Sequence, residues 1–177
     1  MKKIVAFGAS SSKNSINKEL AKYAASRVSE STYEMIDLLD FEMPIYSEDR
    51  EKESGIPQLA YDFYNAIGDA DSIVMSLAEY NGSYTSAYKN LFDWTSRIDM
   101  KVFQGKPVLM LSTSPGPGGA QSVLAAAKAS APYFAANLIG AISLPNFFDN
   151  FDTKEGIVRD ETFKQNLLSS IGQLANR

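Results

Sequence analysis

The sequence predicts an α/β fold, a parallel sheet covered by helices on both faces, and three observations carry that expectation. Five short aliphatic runs punctuate the chain. Stretches of helical spacing alternate with them, and parallel neighbours need such long right-handed crossovers. The runs are continuously apolar rather than alternating, which suggests strands covered on both sides.

The first run, Lys3 to Gly8, is built on Ile4-Val5-Ala6 and leads through a polar loop into a helix expected over Asn17 to Ser29. The second, Tyr33 to Leu38, is followed by a long connection holding Tyr46 and the acidic stretch "SEDREKE" at 47–53, expected to be a solvated loop. Helical spacing resumes over Pro57 to Ala70 and precedes the third run, Ser72 to Leu77. A helix over Thr85 to Arg97 follows, in which the recurrence of Tyr88, Leu91 and Phe92 marks core contacts. The fourth run, Pro107 to Thr113, is followed by a helix over Gly119 to Ala135. The fifth, Leu138 to Leu144, is followed by a last helix from Lys154 to Ala175. No repeat, low-complexity segment or linker interrupts the alternation, so residues 1–177 are read as one domain.

Composition narrows the chemistry. The 177 residues include no cysteine and no histidine, which removes thiolate metal sites, cysteine nucleophiles and any Ser-His-Asp arrangement. If the chain is an enzyme, something other than its side chains is expected to carry the chemistry. A net charge of −4 without a block of like charges argues against a nucleic-acid partner. The apolar runs are short of a membrane span, and "MKKIVAFGAS" enters a strand pattern without a signal-peptide cleavage region, so a cytoplasmic protein is expected.

In an open doubly wound sheet, ligands sit beyond the carboxyl ends of the strands. Three loops there are unusual. The first, "FGASSSKNSIN", offers Ser10, Ser11, Ser12, Asn14, Ser15 and Asn17 where a helix begins. A helix N-terminus has unpaired N–H groups and a favourable dipole for a phosphate, although one such residue alone would be an ordinary cap. The second, "AEYNGSYTSAYKNLFDW", brings out Glu79, Tyr80, Asn81 and Gly82. A planar ligand can rest on Tyr80 beside an amide from Asn81, while Asn-Gly by itself reads as a plain turn. The third, "STSPGPGGAQS", carries Gly116, Gly118 and Gly119 before a helix, a pattern that allows close backbone approach or simply a tight connection.

Together these segments resemble the NADPH-dependent FMN reductase family of flavodoxin-like proteins. "ASSSKNSIN" at 9–17 is similar to the family's phosphate motif, "AEYNGS" with "KNLFDW" to its second, and "SPGPGG" at 114–119 to its third. Ser12 stands where the family often has arginine, with Lys13 as a nearby point charge, and Ala78 stands where it has proline. The resemblance implies a flavodoxin-like three-layer α/β/α sandwich with a five-stranded parallel sheet in the order 2-1-3-4-5. It implies FMN as cofactor, with Ser10, Ser12, Ser15, Ile16 and Asn17 at the phosphate. Glu79, Tyr80, Asn81 and Gly82 would flank the ring, and Ser114, Pro115, Gly116 and Gly119 would meet its polar edge.

By the same resemblance, NADPH or NADH gives hydride to the flavin, and a quinone, azo or similar small acceptor receives it, in a homodimer or homotetramer. No residue is singled out as an acid or base. Glu79 is expected to pair with a backbone N–H or a basic residue, and Lys89 with Asp93 four residues on, on the helix or at a subunit contact. A flavodoxin-like electron carrier and a low-turnover flavin sensor are the alternatives. The Ser/Asn-rich loop and mild charge speak against the carrier.

Overall fold

Ile4, Val5, Ala6 and Phe7 are all completely buried, because the strand they form lies in the middle of a sheet covered on both faces. In the computed structural model, which describes residues 1–175, that strand is β1 (Lys2–Ala9). The chain continues through α1 (Ile16–Ser26), β2 (Ser31–Ile36), α2 (Glu48–Ser54), α3 (Gln58–Asp69) and β3 (Ser72–Leu77). A short hairpin, β4 (Glu79–Tyr80) and β5 (Ser83–Tyr84), precedes α4 (Ser86–Ile98), β6 (Pro107–Thr113), α5 (Gln121–Ser130) and β7 (Asn137–Leu144). A one-turn α6 (Phe147–Asn150), a second hairpin of β8 (Phe151–Asp152) and β9 (Ile157–Val158), and α7 (Glu161–Ala175) complete the order.

The five-stranded sheet runs β2-β1-β3-β6-β7 with every pairing parallel, the flavodoxin-like order 2-1-3-4-5 counted within the sheet. Alternate side chains feed two cores. Val5, Phe7, Ile73, Met75 and Met110 face Phe63, Ile67, Tyr88, Leu91 and Val123 of α3, α4 and α5. Ile4, Ala6, Val74, Leu109 and Leu111 face Leu20 and Ala24 of α1 and Phe163 and Leu167 of α7. Fully burying each large aliphatic or aromatic side chain is worth about 1.5–3 kcal/mol, which is ample for two facing cores. Among the described residues, no helix is long and apolar enough to cross a membrane.

Four elements differ from the sequence expectation, each for a local reason. The second strand begins two residues earlier, at Ser31, and is an edge strand with Thr32, Tyr33 and Glu34 exposed, so it lacks the expected cover on both faces. The acidic stretch is helix α2 rather than a loop. Ser47 accepts the Arg50 N–H as its cap, Glu48, Asp49 and Glu51 suit the positive end of the dipole, and Gly55 at φ 73° closes it. The helix expected over Gly119 to Ala135 stops at Ser130, gives way to a 3₁₀ turn (Ala131–Phe134) opened by Pro132, and ends with Ala135 at φ 56°. The last helix starts at Glu161 and not Lys154. Asp152 accepts from the Lys154 and Glu155 N–H groups and Gly156 takes φ 65°, which bends residues 151–158 into the β8–β9 hairpin instead.

Candidate functional site

Between β1 and β3 the chain reverses its direction of progress across the sheet, so the loops after β1, β3 and β6 open a crevice at their carboxyl ends. The loop after β1 is shaped by Gly8. A Cβ there would lie 2.4 Å from the Lys18 amide nitrogen and 2.8 Å from the Asn17 carbonyl carbon. Only glycine therefore lets α1 press its first turn against the end of the strand. Ser15 caps that turn, its hydroxyl accepting the Lys18 N–H at 3.2 Å. Helix geometry leaves the N–H groups of Ile16 and Asn17 without intrahelical acceptors.

Asn17 differs from its expected role. It is 2% exposed, and its amide donates to the Thr113 carbonyl at 3.2 Å. Its oxygen accepts the Ser76 hydroxyl at 2.7 Å and the Thr113 N–H at 3.2 Å. The side chain is a bracket joining α1 to β3 and β6.

Asn81 and Gly82 are the two turn residues of the β4–β5 hairpin, at φ 54° and 77°. Positive φ at both positions defines the mirror-image turn for which Asn-Gly is the preferred pair. They lie off the crevice wall; the strand they terminate supplies it. Glu79 turns its carboxylate to the N-terminus of α5 and accepts the Val123 N–H at 2.8 Å, so that helix end already faces a negative group. Tyr80, 51% exposed, lies over the first loop with its hydroxyl 3.2 Å from the Ser12 hydroxyl and 3.5 Å from that of Ser10. Hydrogen bonds from Ser10, then Ser12, draw the Tyr80 phenol below its ordinary value. Thr85 ties the hairpin down by donating to the Ala9 carbonyl at 2.8 Å while capping α4.

In the third loop, Ser114 donates to the Gly116 carbonyl, which also receives the Asn146 N–H, and the Ser114 carbonyl accepts the Phe147 N–H. Gly119 is buried at φ 58°, and a Cβ on it would meet the Ser143 hydroxyl at 2.2 Å. Its carbonyl accepts from Ser112 and Ser143, both at 2.7 Å. Gly119 therefore anchors the loop from beneath.

What converges is a cleft of about 250 Å³ lined by Ser10, Ser12, Ser15, Ile16, Asn17, Glu79, Tyr80, Ser114 and Pro115. Asn81, Gly82, Gly116 and Gly119 are not on its wall. Asn14, Ala78 and Thr113 are; the last two are strand-end positions that a motif reading passes over, and the rule that ligands meet strand carboxyl ends would have pointed to them. Lys13 is exposed and outside the lining.

The "KNLFDW" helix acts at a distance. Asn90 accepts the Tyr46 N–H at 2.8 Å and donates to the Met43 and Pro44 carbonyls, and the Trp94 indole N–H donates to the Pro44 carbonyl at 2.7 Å. Arg97 and the Tyr46 hydroxyl both donate to Glu51. The helix thus straps residues 43–51 beside the cleft, while Lys89 and Asp93 pair with each other on its surface.

A doubly wound parallel sheet with a hydroxyl-lined cleft at its strand ends defines a flavodoxin-like protein. The chain belongs to the NADPH-dependent FMN reductase family, whose model matches residues 2–149. It is 36% identical over 106 residues to the 2-hydroxy-1,4-benzoquinone reductase of Burkholderia sp, covering 59% of this chain and 56% of the relative. It is 37% identical over 81 residues to the quinone reductase of Escherichia coli strain K12, covering 45% of this chain and 43% of the relative. The chain thus spans about half the length of these curated relatives in the matched regions.

Its fold is similar to that of a flavoenzyme NAD(P)H:(acceptor) oxidoreductase from Paracoccus denitrificans, with a TM-score of 0.76 at 23% identity over 99% of this chain and 96% of the other. It is also similar to an FMN-dependent NADH-azoreductase from Bacillus anthracis in complex with FMN, with a TM-score of 0.63 at 14% identity over 99% and 100%.

Proposed function

We propose that this protein is an NAD(P)H-dependent FMN oxidoreductase that passes hydride from a nicotinamide through bound FMN to a quinone, azo or similar small acceptor. The observation that carries the reading is the cleft itself, where the N-terminus of α1 meets the hydroxyls of Ser10, Ser12 and Tyr80 at the switch point of the sheet. Family membership and the names of the relatives support it.

The donor set suits FMN. The Ile16 and Asn17 N–H groups at the start of α1 would hold the phosphate, with Ser10 and Ser12 at its border. Tyr80, Glu79, Ser114 and Pro115 would border the remainder. When bound, FMN supplies hydride acceptance and donation, chemistry that no side chain of a histidine-free and cysteine-free chain offers. The chain's own part is to bind, orient and exclude water. Asn17 fixes α1 to β3 and β6, so that the anion seat cannot shift against the sheet. Glu79 neutralises the start of α5 and keeps the hairpin against it. No side chain lining the cleft needs to move a proton for that role.

We further read residues 1–177 as one domain of a cytoplasmic homo-oligomer without nucleic-acid partners. The net charge of −4 supports the last point. An apolar cleft of about 460 Å³ between α4 and α5, lined by Tyr84, Phe92, Met100 and Phe134 among others, supports a second copy as the cover. Sizing the purified protein by light scattering checks this point separately.

The functional reading is tested by steady-state oxidation of NADPH and NADH with a benzoquinone as acceptor. The apoprotein is expected to be inert until FMN is added and active afterwards. Equal activity with and without protein would remove the reading.

A further inference from the structure

The cleft answers the charge of a phosphate without a cation. Its lining contains no lysine or arginine, and its carboxylate, Glu79, is committed to the Val123 N–H. Lys18, in the first turn of α1, is tied to Asp37 at 2.7 Å, and Lys13 stands outside the lining. A phosphate seated here is therefore held by N–H and O–H donors.

Three hydroxyls converge at its mouth. The Tyr80 phenol meets Ser12 at 3.2 Å and Ser10 at 3.5 Å, while the Ser12 N–H donates to the Ser10 hydroxyl oxygen at 3.2 Å. Three hydroxyl protons serve two hydroxyl–hydroxyl contacts, so one proton always remains to point outward. When both serines donate to the phenol oxygen, the arrangement that draws its pKa down, the spare proton is the phenol's own. The Tyr80 backbone is fixed by the hairpin pairing with Ser83, so the phenol is presented by a rigid element rather than a loose loop.

We propose that the Tyr80 hydroxyl is a direct ligand of the cofactor phosphate, donating the one proton that its contacts with Ser10 and Ser12 leave free, and that it sets the preference for the phosphorylated flavin over riboflavin. This inference rests on the FMN reading above. A hydroxyl donor to a phosphate oxygen is a charge-assisted bond, and losing one weakens binding by about 10-fold to 100-fold. Riboflavin has the same ring and no phosphate, so it separates a phosphate contact from a ring contact.

The test is titration of the apoprotein and of Tyr80→Phe with FMN and with riboflavin, followed by quenching of flavin fluorescence. Tyr80→Phe keeps the aromatic face, and its folding is checked by the emission of Trp94. The expected result is FMN binding weakened at least about tenfold with riboflavin binding unchanged, so that the preference between the two falls. Ser12→Ala is expected to act in the same direction, with the double variant less than additive because the Ser12 hydroxyl acts through the Tyr80 phenol.

Equal weakening for both flavins would make Tyr80 a ring contact and overturn the inference. FMN binding that is unchanged or tighter in Tyr80→Phe would make the hydroxyl a bystander or a competitor for the serines, and would also overturn it. A wild-type protein that binds both flavins equally would refute a phosphate seat here. A wild-type protein that binds neither would remove the FMN reading itself, and this inference with it.

Discussion

Asn17 commits its whole side-chain amide to the scaffold, and its removal strands Ser76 and both backbone groups of Thr113 in a buried place. Asn17→Ala is therefore expected to lower unfolding stability by about 2–4 kcal/mol, read from the urea midpoint at constant slope. Gly119 is constrained twice, by φ 58° and by the Ser143 hydroxyl 2.2 Å from any added Cβ. Gly119→Ala is expected to cost about 1–3 kcal/mol, and adding Ser143→Ala should return only part of it, since the backbone strain and the Pro145 contact at 3.1 Å remain. Full recovery in the double variant would show that the clash alone mattered. These residues also mark where residue types mislead. An asparagine at a helix start and a glycine in a glycine-rich loop both advertise ligand contact, and the sequence carries no sign of the partners on β3, β6 and β7 that claim them instead. The turn at Asn81 and Gly82 was legible from the local rule for a two-residue hairpin.

At the scale of elements, α1 governs the cleft and α4 holds the strap of residues 43–51. Gly8→Ala would drive a methyl group into the backbone of the first turn of α1, at 2.4 Å from Lys18 nitrogen. Because backbone cannot step aside, the turn is expected to move off β1 and take the anion seat with it. Stability and FMN affinity should both drop, unlike in Tyr80→Phe, where affinity alone falls.

The strap hangs on Glu51, whose carboxyl is held below the ordinary carboxylate range first by the Arg97 guanidinium and then by the Tyr46 hydroxyl. A depressed carboxyl stabilises the folded arrangement above its unfolded value, and that contribution is lost as pH falls through the folded one. The strap is therefore expected to stay anchored from neutral pH down through the ordinary carboxylate range, and to loosen only as pH falls below that range. Trp94 reports this directly, because it is the single tryptophan, packs edge-on against Tyr46 at 5.0 Å and donates to Pro44. Its emission should hold steady to that point in the wild type and shift at higher pH in Arg97→Ala.

The strands of the sheet interior were legible because continuous apolar runs have few other homes. The edge strand β2 was legible but for its bounds, whereas the short helix α2 and the β8–β9 hairpin were not, since each is decided by caps and turns, Ser47, Gly55, Asp152 and Gly156, that outweigh a hydrophobic pattern too short to dominate.

For the whole molecule, the strand order fixes where a ligand meets the chain, and composition fixes what kind of chemistry can occur there. A protein of net charge −4 whose cleft lining holds no lysine or arginine attracts its anionic cofactor by short-range donors rather than by a long-range field. FMN affinity is accordingly expected to be nearly flat with added salt, measured by the same fluorescence titration at rising ionic strength. A steep loss would reveal a cation at the phosphate. The central claim is that this flavodoxin-like scaffold holds FMN where a reduced nicotinamide can reduce it. The most direct measurement is an anaerobic titration of the FMN-loaded protein with NADPH and with NADH, following the oxidised flavin absorption band. At least one nucleotide is expected to bleach the band stoichiometrically, and a benzoquinone to restore it. FMN that stays bound and oxidised in the presence of both nucleotides would contradict it.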